Sequence, residues 1–284
     1  MKPIADYTIR TMSRREIDLA VDWAAAEGWN PGLEDAECFY HTDPEGFLVG
    51  LVGNEPVATI SVVRYGNSFA FLGFYIVKPE WRGKGLGLRI WNAGLERLAE
   101  RTVGLDGVVA QQKNYRKSGF ALAYRNIRFM GAAAENAESY PGIVPLTEIP
   151  FATLHAYDRP FFPADRSAFL QCWTSRTGSK AFGALHDGAL AGYGLIRPCR
   201  SGFKIGPLFA DNPDVAEALF KTLIGSVPAG SPIFLDIPEV NPEALQLTQR
   251  HGMKVVFETA RMYKGEAPDL PVERIYGVTT FELG

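Results

Sequence analysis

The chain has 284 residues, 46% of them apolar, 12% aromatic and 21% charged, which is material for one large or two ordinary buried cores and excludes disorder, collagen and coiled coil. A net charge of -3 gives no global attraction to polyanions and argues against a dedicated nucleic-acid binder. Cys38, Cys172 and Cys199 are far apart and never in a CxxC pair, so neither a disulfide framework nor a structural zinc site is expected. No window has the roughly 18 apolar residues of a membrane span, and the first ten residues lack an apolar leader stretch. The expectation is a soluble, cytoplasmic protein with no membrane partner.

Tyr7 to Thr11 alternates as a short strand, and Ser13-Arg-Arg-Glu16 has the form of a capping box. Ile17, Ala20, Val21 and Ala24 follow at the spacing of one helix face, which predicts an amphipathic helix ending near Gly28. From Trp29 to Gly46 glycine, proline and acids break the pattern, giving loop plus a short helix. Phe47 to Val52 and Val57 to Arg64 are β-rich runs joined by Gly53-Asn-Glu-Pro56, the turn of an antiparallel hairpin. A further strand, Phe69 to Val77, leads into Lys78-Pro-Glu-Trp-Arg-Gly-Lys-Gly-Leu-Gly87. Leu88, Trp91, Leu95 and Leu98 then recur at helical spacing to about Arg101. Val103 to Val108 reads as a strand, Ala110 to Ser118 as a short helix, Phe120 to Phe129 as a long strand, and Gly131 to Pro141 as a small, polar linker.

The second half repeats the tail of the first. Lys180 to Gly194 has the hairpin form of Phe47 to Val62, and Gly202 to Ala210 stands where Phe69 to Val77 stood. A helix from about Pro213 to Ile224, a strand at Phe234 to Ile237 and a helix from Asn241 to His251 follow in the same order. Ser118 to Gly131 resembles His251 to Gly265, so the chain reads as a divergent duplication.

Chemistry concentrates at Arg82-Gly-Lys-Gly-Leu-Gly87, which follows an apolar strand and opens a helix. Glycines at 83, 85 and 87 let a ligand approach the backbone, and free N–H groups at a positive helix end suit an anion, for which a pyrophosphate is the natural occupant. The spacing is G-x-G-x-G, which is neither the dinucleotide GxGxxG nor a GxxxxGK[ST] phosphate loop. Further on comes Tyr115-Arg-Lys-Ser-Gly-Phe120.

R-x-x-G-x-G at a strand-to-helix turn, followed by Y-x-K-x-G-F, resembles the signature of the GCN5-related N-acetyltransferase (GNAT) superfamily. The resemblance covers roughly Tyr7 to Gly131, and more loosely 180 to 265, and the layout is similar to bacterial two-lobed acetyltransferases. It implies an α/β fold, a tandem GNAT-like acyltransferase with a mostly antiparallel sheet flanked by helices in each lobe. A catalytic N-terminal domain would span 1–134, a linker 135–150 and a degenerate C-terminal domain 151–284. By the family pattern Arg82, Gly83, Lys84, Gly85, Leu86 and Gly87 hold the coenzyme A pyrophosphate. Tyr75, Ile76 and Val77 line the pantetheine arm, which pairs with the open edge of a splayed strand. Tyr115 matches the tyrosine that protonates the departing thiolate.

Two departures stand out. Where the family helix reads N-x-x-A-x-x-x-Y, this chain has Val108 and Gln111 before Tyr115; Asn241 and Ala244 keep the pattern in the second copy, with Thr248 in place of the tyrosine. The second copy also has Phe209-Ala-Asp-Asn-Pro213 instead of the glycine loop, so only the first lobe is expected to bind the cofactor.

The resemblance thus implies an acetyl-CoA-dependent N-acetyltransferase acting on a primary amine of a small molecule or peptide, with no metal, as a monomer or homodimer. The alternatives are a non-catalytic acyl-CoA sensor that binds a partner, and an acyltransferase with a longer acyl donor. The acidic run Glu34 to Glu45, with Trp29, Tyr40 and His41, occupies the region that by the resemblance covers the acceptor side, and it either attracts a cationic amine or is a solvated loop. His41 is a candidate base. Asp106 and Asp236 occupy matching places in the two copies, which favours a structural role such as helix capping. Arg159, Arg166 and Trp173 either wall the acceptor pocket or pack lobe against lobe with surface ion pairs.

Overall fold

The structure is a computed structural model and describes residues 6–134 and 140–284. Residues 1–5 of the stretch searched for a leader, and 135–139 of the expected linker, lie outside the described residues. The first half runs β1 (Tyr7–Thr11), α1 (Arg14–Ala26), α2 (Asp35–Thr42), β2 (Phe47–Val52), β3 (Glu55–Tyr65), β4 (Phe69–Val77), α3 (Leu86–Glu96), β5 (Thr102–Val108), α4 (Gln112–Lys117) and β6 (Ala121–Ala132). The second runs β7 (Ile143–Pro145), α5 (Phe151–Asp158), α6 (Ser167–Ser175), β8 (Lys180–His186), β9 (Ala189–Pro198), β10 (Phe203–Ala210), α7 (Pro213–Gly225), β11 (Pro232–Pro238), α8 (Pro242–Arg250), β12 (Lys254–Lys264) and β13 (Ile275–Gly277). β7 lies within the expected linker and pairs with β8.

The capping box forms, with the Glu16 carboxylate accepting the Ser13 backbone N–H at 2.8 Å, and Ile17, Ala20, Val21 and Ala24 are the buried face of α1. The α3 stripe is corrected. The helix starts at Leu86, so its buried face is Leu86, Ile90, Trp91 and Gly94, and Leu88, expected inside, is 62% exposed. A hundred-degree step per residue makes the start of a helix decide which side chains turn inward.

The strands form one mixed sheet in the order β1-β2-β3-β4-β5-β12-β6-β11-β10-β9-β8-β7, with β13 on β10. It is antiparallel except for β4 with β5 and β10 with β11. The middle of this order carries the architecture. β12, from the second half, lies between β5 and β6, and β6, from the first half, lies between β12 and β11. Each lobe therefore lends its last long strand to the other.

Each exchanged strand carries one half of a buried ion pair. Arg261 on β12 faces Asp106 on β5, with Nη2 2.6 Å from Oδ2, and Arg128 on β6 faces Asp236 on β11, with Nε 2.6 Å from Oδ1. Both contacts are bidentate and buried. Burial opposes ionisation of Asp236, but the Arg128 charge and hydrogen bonds outweigh it and hold the carboxyl below the ordinary range. The two aspartates are structural, as expected, but they bridge lobes and do not cap helices.

The cysteine reading is corrected as well. Cys38 on α2 and Cys172 on α6 are disulfide-bonded, with Cα atoms 5.4 Å apart, while Cys199 is free and buried. Their separation of 134 residues in sequence says nothing about distance, which is set by the packing of α2 on α6. Among the described residues no helix is long and apolar enough to cross a membrane, and no cluster of three potential metal ligands occurs.

Arg128→Met leaves Asp236 buried and unpaired, and is expected to lower the unfolding free energy by about 3–5 kcal/mol in urea titrations. Adding Asp236→Leu should recover most of that loss. A single-variant effect below about 1 kcal/mol, the range of an exposed pair, would show that the fold does not rest on this contact.

Candidate active site

β4 and β5 pair in parallel from Phe69 opposite Thr102 to Leu72 opposite Leu105, and stop. At that point Phe74 takes a φ of 45°, and the β3–β4 register slips between Thr59 and Ser61. This bulge splays the rest of β4 away from β5, leaving its edge from Gly73 to Val77 without a strand partner on that side. A cavity of about 490 Å³ fills the gap. Its walls are Leu72 to Val77 on β4 and Leu105 to Val108 on β5, and its outer end is the glycine loop and Leu88.

The loop leaves backbone amides open to the cavity. Gly83 and Gly85 have φ values of +74° and +83°, a region that side chains disfavour, and both face open space. Gly85 caps α3, its carbonyl accepting from the Arg89 N–H at 3.3 Å, so the first-turn amides ahead of Arg89 have no partner within the helix. Gly87 has a different reason. A Cβ there would stand 2.8 Å from the Tyr75 hydroxyl and 3.0 Å from Val77, so it lets α3 settle onto β4.

Arg82 lines the cavity, donates from Nε to the Val77 carbonyl at 2.8 Å and forms an ion pair with Glu27. Lys84 lies over the Trp81 ring and the Leu86 side chain is in the core, so neither side chain lines the cavity.

Tyr115 lies on the opposite wall. Its ring stacks on Trp91 at 5.4 Å between centroids and lies against Gly107 on β5, where any Cβ would overlap it. Burial, then the charge of a neighbouring Tyr75 phenolate, push the Tyr115 phenol well above its ordinary value, so it is protonated at neutral pH. Val108 and Gln111, the departures from the family helix, also line the cavity.

The second lobe has the matching splay with a different occupant. Leu208 and Phe209 on β10 stand where Tyr75 and Ile76 stand on β4, and β13 pairs with both. The Val278 N–H adds a bond to the Asp236 carbonyl at 2.8 Å. Asn241, the retained asparagine of the helix pattern, donates to the carbonyls of Val272, Glu273 and Ile275 and so clamps the approach to β13. At the start of α7 the Asn212 side chain accepts from the Val215 N–H at 3.0 Å and Pro213 has no N–H to offer, so the phosphate cradle is absent there.

The acceptor side differs from expectation. Trp29 lines the cavity, held by the Arg128 guanidinium, which donates to its carbonyl at 2.6 Å. Tyr40 and His41 do not reach it. Tyr40 packs against the core, and His41 is exposed with Nε2 2.8 Å from Glu37. Apart from Glu34, which accepts from the Thr177 hydroxyl, the acidic run is committed to arginines: Asp35 to Arg176 and Arg197, Glu37 to Arg14, and Asp43 and Glu45 to Arg64. Asp35 is wholly buried; burial opposes its ionisation, but Arg197, Arg176 and the Gly32 N–H draw its pKa down to about 2.

Arg166, Arg159 and Trp173 also stay out of the cavity. Arg166 pairs with Asp158 at 2.6 Å inside the protein, Arg159 donates to the Phe162 carbonyl at 2.9 Å, and Trp173 is fully buried with its Nε1 donating to the Gly206 carbonyl at 3.0 Å. Trp173 packs lobe on lobe by stacking on Phe39 of α2, and the Arg166–Asp158 pair is buried where a surface one was expected. The cavity is completed instead by Glu27, by Phe257 and Thr259 on the exchanged β12, and by Phe281 and Glu282 beyond β13.

Residues 14–120 match the acetyltransferase (GNAT) family, and residues 154–277 match an acetyltransferase (GNAT) domain. A protein called holothin acyltransferase, from Pseudoalteromonas sp. (strain SANK 73390), is 34% identical over 278 residues, 98% of this chain and 95% of the relative. The chain belongs to the GNAT family of acyltransferases. Among solved structures, a putative acetyltransferase from Pyrococcus horikoshii is similar with a TM-score of 0.83 at 26% identity, over 99% of this chain and 96% of that one. A tandem GNAT protein from the clavulanic acid biosynthesis pathway shares the fold, with a TM-score of 0.64 at 14% identity over 92% and 100% of the two chains.

In this GNAT chain Gly107→Ala is expected to drive the Tyr115 ring off β5, lowering stability by about 1–3 kcal/mol through overpacking. The same shift should change Trp91 fluorescence, since the two rings are stacked. Unchanged thermal midpoint and emission would show that Tyr115 does not depend on the glycine.

Proposed function

We propose that the chain is an acetyl-CoA-dependent N-acetyltransferase with its donor site in the first lobe, 1–134, and a degenerate second lobe, 151–284, that shapes the acceptor side. The observation that carries this reading is the contrast between the two splayed strands. One opens on a cavity that ends at uncapped amides, and the other is filled by β13 and ends at a capped helix.

Acetyl-CoA supplies an acyl group activated as a thioester. The first-turn amides of α3, with Gly83 and Gly85 keeping the approach clear, bind its pyrophosphate, and Arg82 exchanges Glu27 for phosphate. The open edge of β4 at Tyr75, Ile76 and Val77 pairs with the pantetheine amides as a strand would. Tyr115, kept protonated by burial, gives its proton to the departing thiolate, and the dry walls around it strengthen that hydrogen bond. The acceptor is an amine. The relative called holothin acyltransferase, alike over nearly the whole of both chains, makes holothin the first acceptor to test.

Calorimetric titration with acetyl-CoA should give saturable binding at about one site per chain. Arg82→Glu should abolish it by setting a second carboxylate beside Glu27 at the phosphates. Tyr115→Phe should keep the affinity and lower turnover about 100-fold, the scale of general acid catalysis. Wild-type turnover in Tyr115→Phe would remove the tyrosine from the mechanism, and tight binding without turnover of any amine would favour a sensor.

A further inference from the structure

The segment after β13 leaves the second lobe and enters the first. The carbonyls of Val278 and Thr279 press on Gly206, where a Cβ would stand 2.7 and 2.5 Å from them. Three residues later the Glu282 carbonyl presses on Gly73, so closely that any Cβ there would overlap it. Tyr65 then donates from its hydroxyl to the Leu283 carbonyl at 3.0 Å. Glu282 is thus held from both sides by backbone contacts.

Its place in the cleft follows from the strand pairing. β4 leaves β5 after Leu72, so Gly73 marks the inner end of the open edge, and the glycine loop marks the outer end. A pantetheine arm laid along β4 from its pyrophosphate at the loop brings its thioester to the inner end, beside Glu282.

The side chain is arranged to face that point. Glu282 is 4% exposed and lines the cavity. Thr280 donates its hydroxyl to Oε2, and the Glu282 N–H donates back to Thr280 Oγ1 at 3.2 Å. Among the described residues no lysine, arginine or histidine nitrogen comes within 4.0 Å of the carboxylate, so no ion pair occupies it. The other acids near the cavity are engaged: Asp106 by Arg261, and Glu27 by Arg82. Arg128, Arg197 and Lys204 supply positive potential from behind.

We propose that Glu282 is the acceptor-side catalytic residue: it binds the ammonium form of the amine beside the thioester and takes its proton. This rests on the acetyltransferase reading above. The neutral nitrogen attacks the thioester carbonyl carbon, the new C–N bond forms and the C–S bond breaks. The departing sulfur receives the Tyr115 proton, the second proton on the acylated nitrogen passes to the Tyr115 phenolate and restores it, and Glu282 releases the first to solvent, so the products are a neutral amide, the free thiol and one proton. The second lobe supplies this carboxylate by threading its own terminal segment through a disused donor slot.

The test uses the full chain with acetyl-CoA and the best amine found for the wild type, and reads binding and turnover separately. Glu282→Gln keeps the size and the Thr280 contact. It should bind acetyl-CoA within twofold of wild type and turn over at least about 100-fold more slowly. Glu282→Asp, which keeps the charge on a shorter arm, should lie between the two. Turnover of Glu282→Gln within threefold of wild type overturns the proposal. So does a parallel loss of acetyl-CoA affinity, which would make Glu282 a structural residue of the cleft. If the wild type turns over no amine, the acetyltransferase reading fails and the role of Glu282 falls with it. An active wild type beside an equally active Gln variant fails the proposal alone.

Discussion

The exchange of β6 and β12, bridged by the Arg128–Asp236 and Arg261–Asp106 pairs, is the constraint on which the site depends. Because β12 lies beside β5, the wall of the cavity beyond Val108 carries Phe257 and Thr259 from the second half of the chain. Because Arg128 lies on β6 within the second lobe's sheet, its guanidinium can hold Asp236 and the Trp29 carbonyl together, bringing the Trp29 loop to the cleft. Buried ion pairs of this kind add little net stability, since desolvation cancels much of the attraction. Arg128 and Arg261 are equivalent positions of the repeat, as are Asp106 and Asp236, so each exchanged strand brings to the other lobe the same partner that lobe's own strand would have supplied.

The exchange also explains why a lobe without a phosphate cradle is retained. Once β12 belongs to the first lobe's sheet, the second half cannot be removed without opening the first lobe's cavity. The matching slot of the second lobe is filled by β13, which pairs with the splayed β10 through its backbone. Asn241 serves this arrangement: its amide binds the carbonyls around β13, and its oxygen caps α8 through the Glu243 and Ala244 N–H groups. The asparagine kept by the degenerate copy therefore has a structural reason to be there.

What was legible in the sequence was what short-range physics writes into it. The capping box at Ser13, the hairpin turn at Gly53, the glycine loop and the repeat of β8 to β12 are each decided within a dozen residues, and they stand as expected. Tyr115 could be named only through the family motif, and Gly87, named with the glycine loop, proves to accommodate Tyr75. Partners brought from afar were illegible. The acids from Glu34 to Glu45 looked free because Arg64, Arg176 and Arg197 are distant in sequence, and Cys38 and Cys172 looked single because only the contact of α2 with α6 joins them. Leu88 carried a usable signal, an apolar residue off the α3 stripe once the helix start is placed at Leu86.

Gly73 and Gly206 show how duplication divides one device into two. They occupy the same point of the same strand, just before the splay, and in both the missing side chain admits backbone of the terminal segment. In the second lobe the contact helps to seal the slot, with β13 on one side of it and Trp173 donating to the Gly206 carbonyl on the other. In the first lobe only the inner end is closed, and the slot stays open along Tyr75 to Val77. A single extended segment therefore plugs one copy and edges the other. The difference between an open cleft and a structural brace comes down to how far along the splayed strand the chain's own backbone runs.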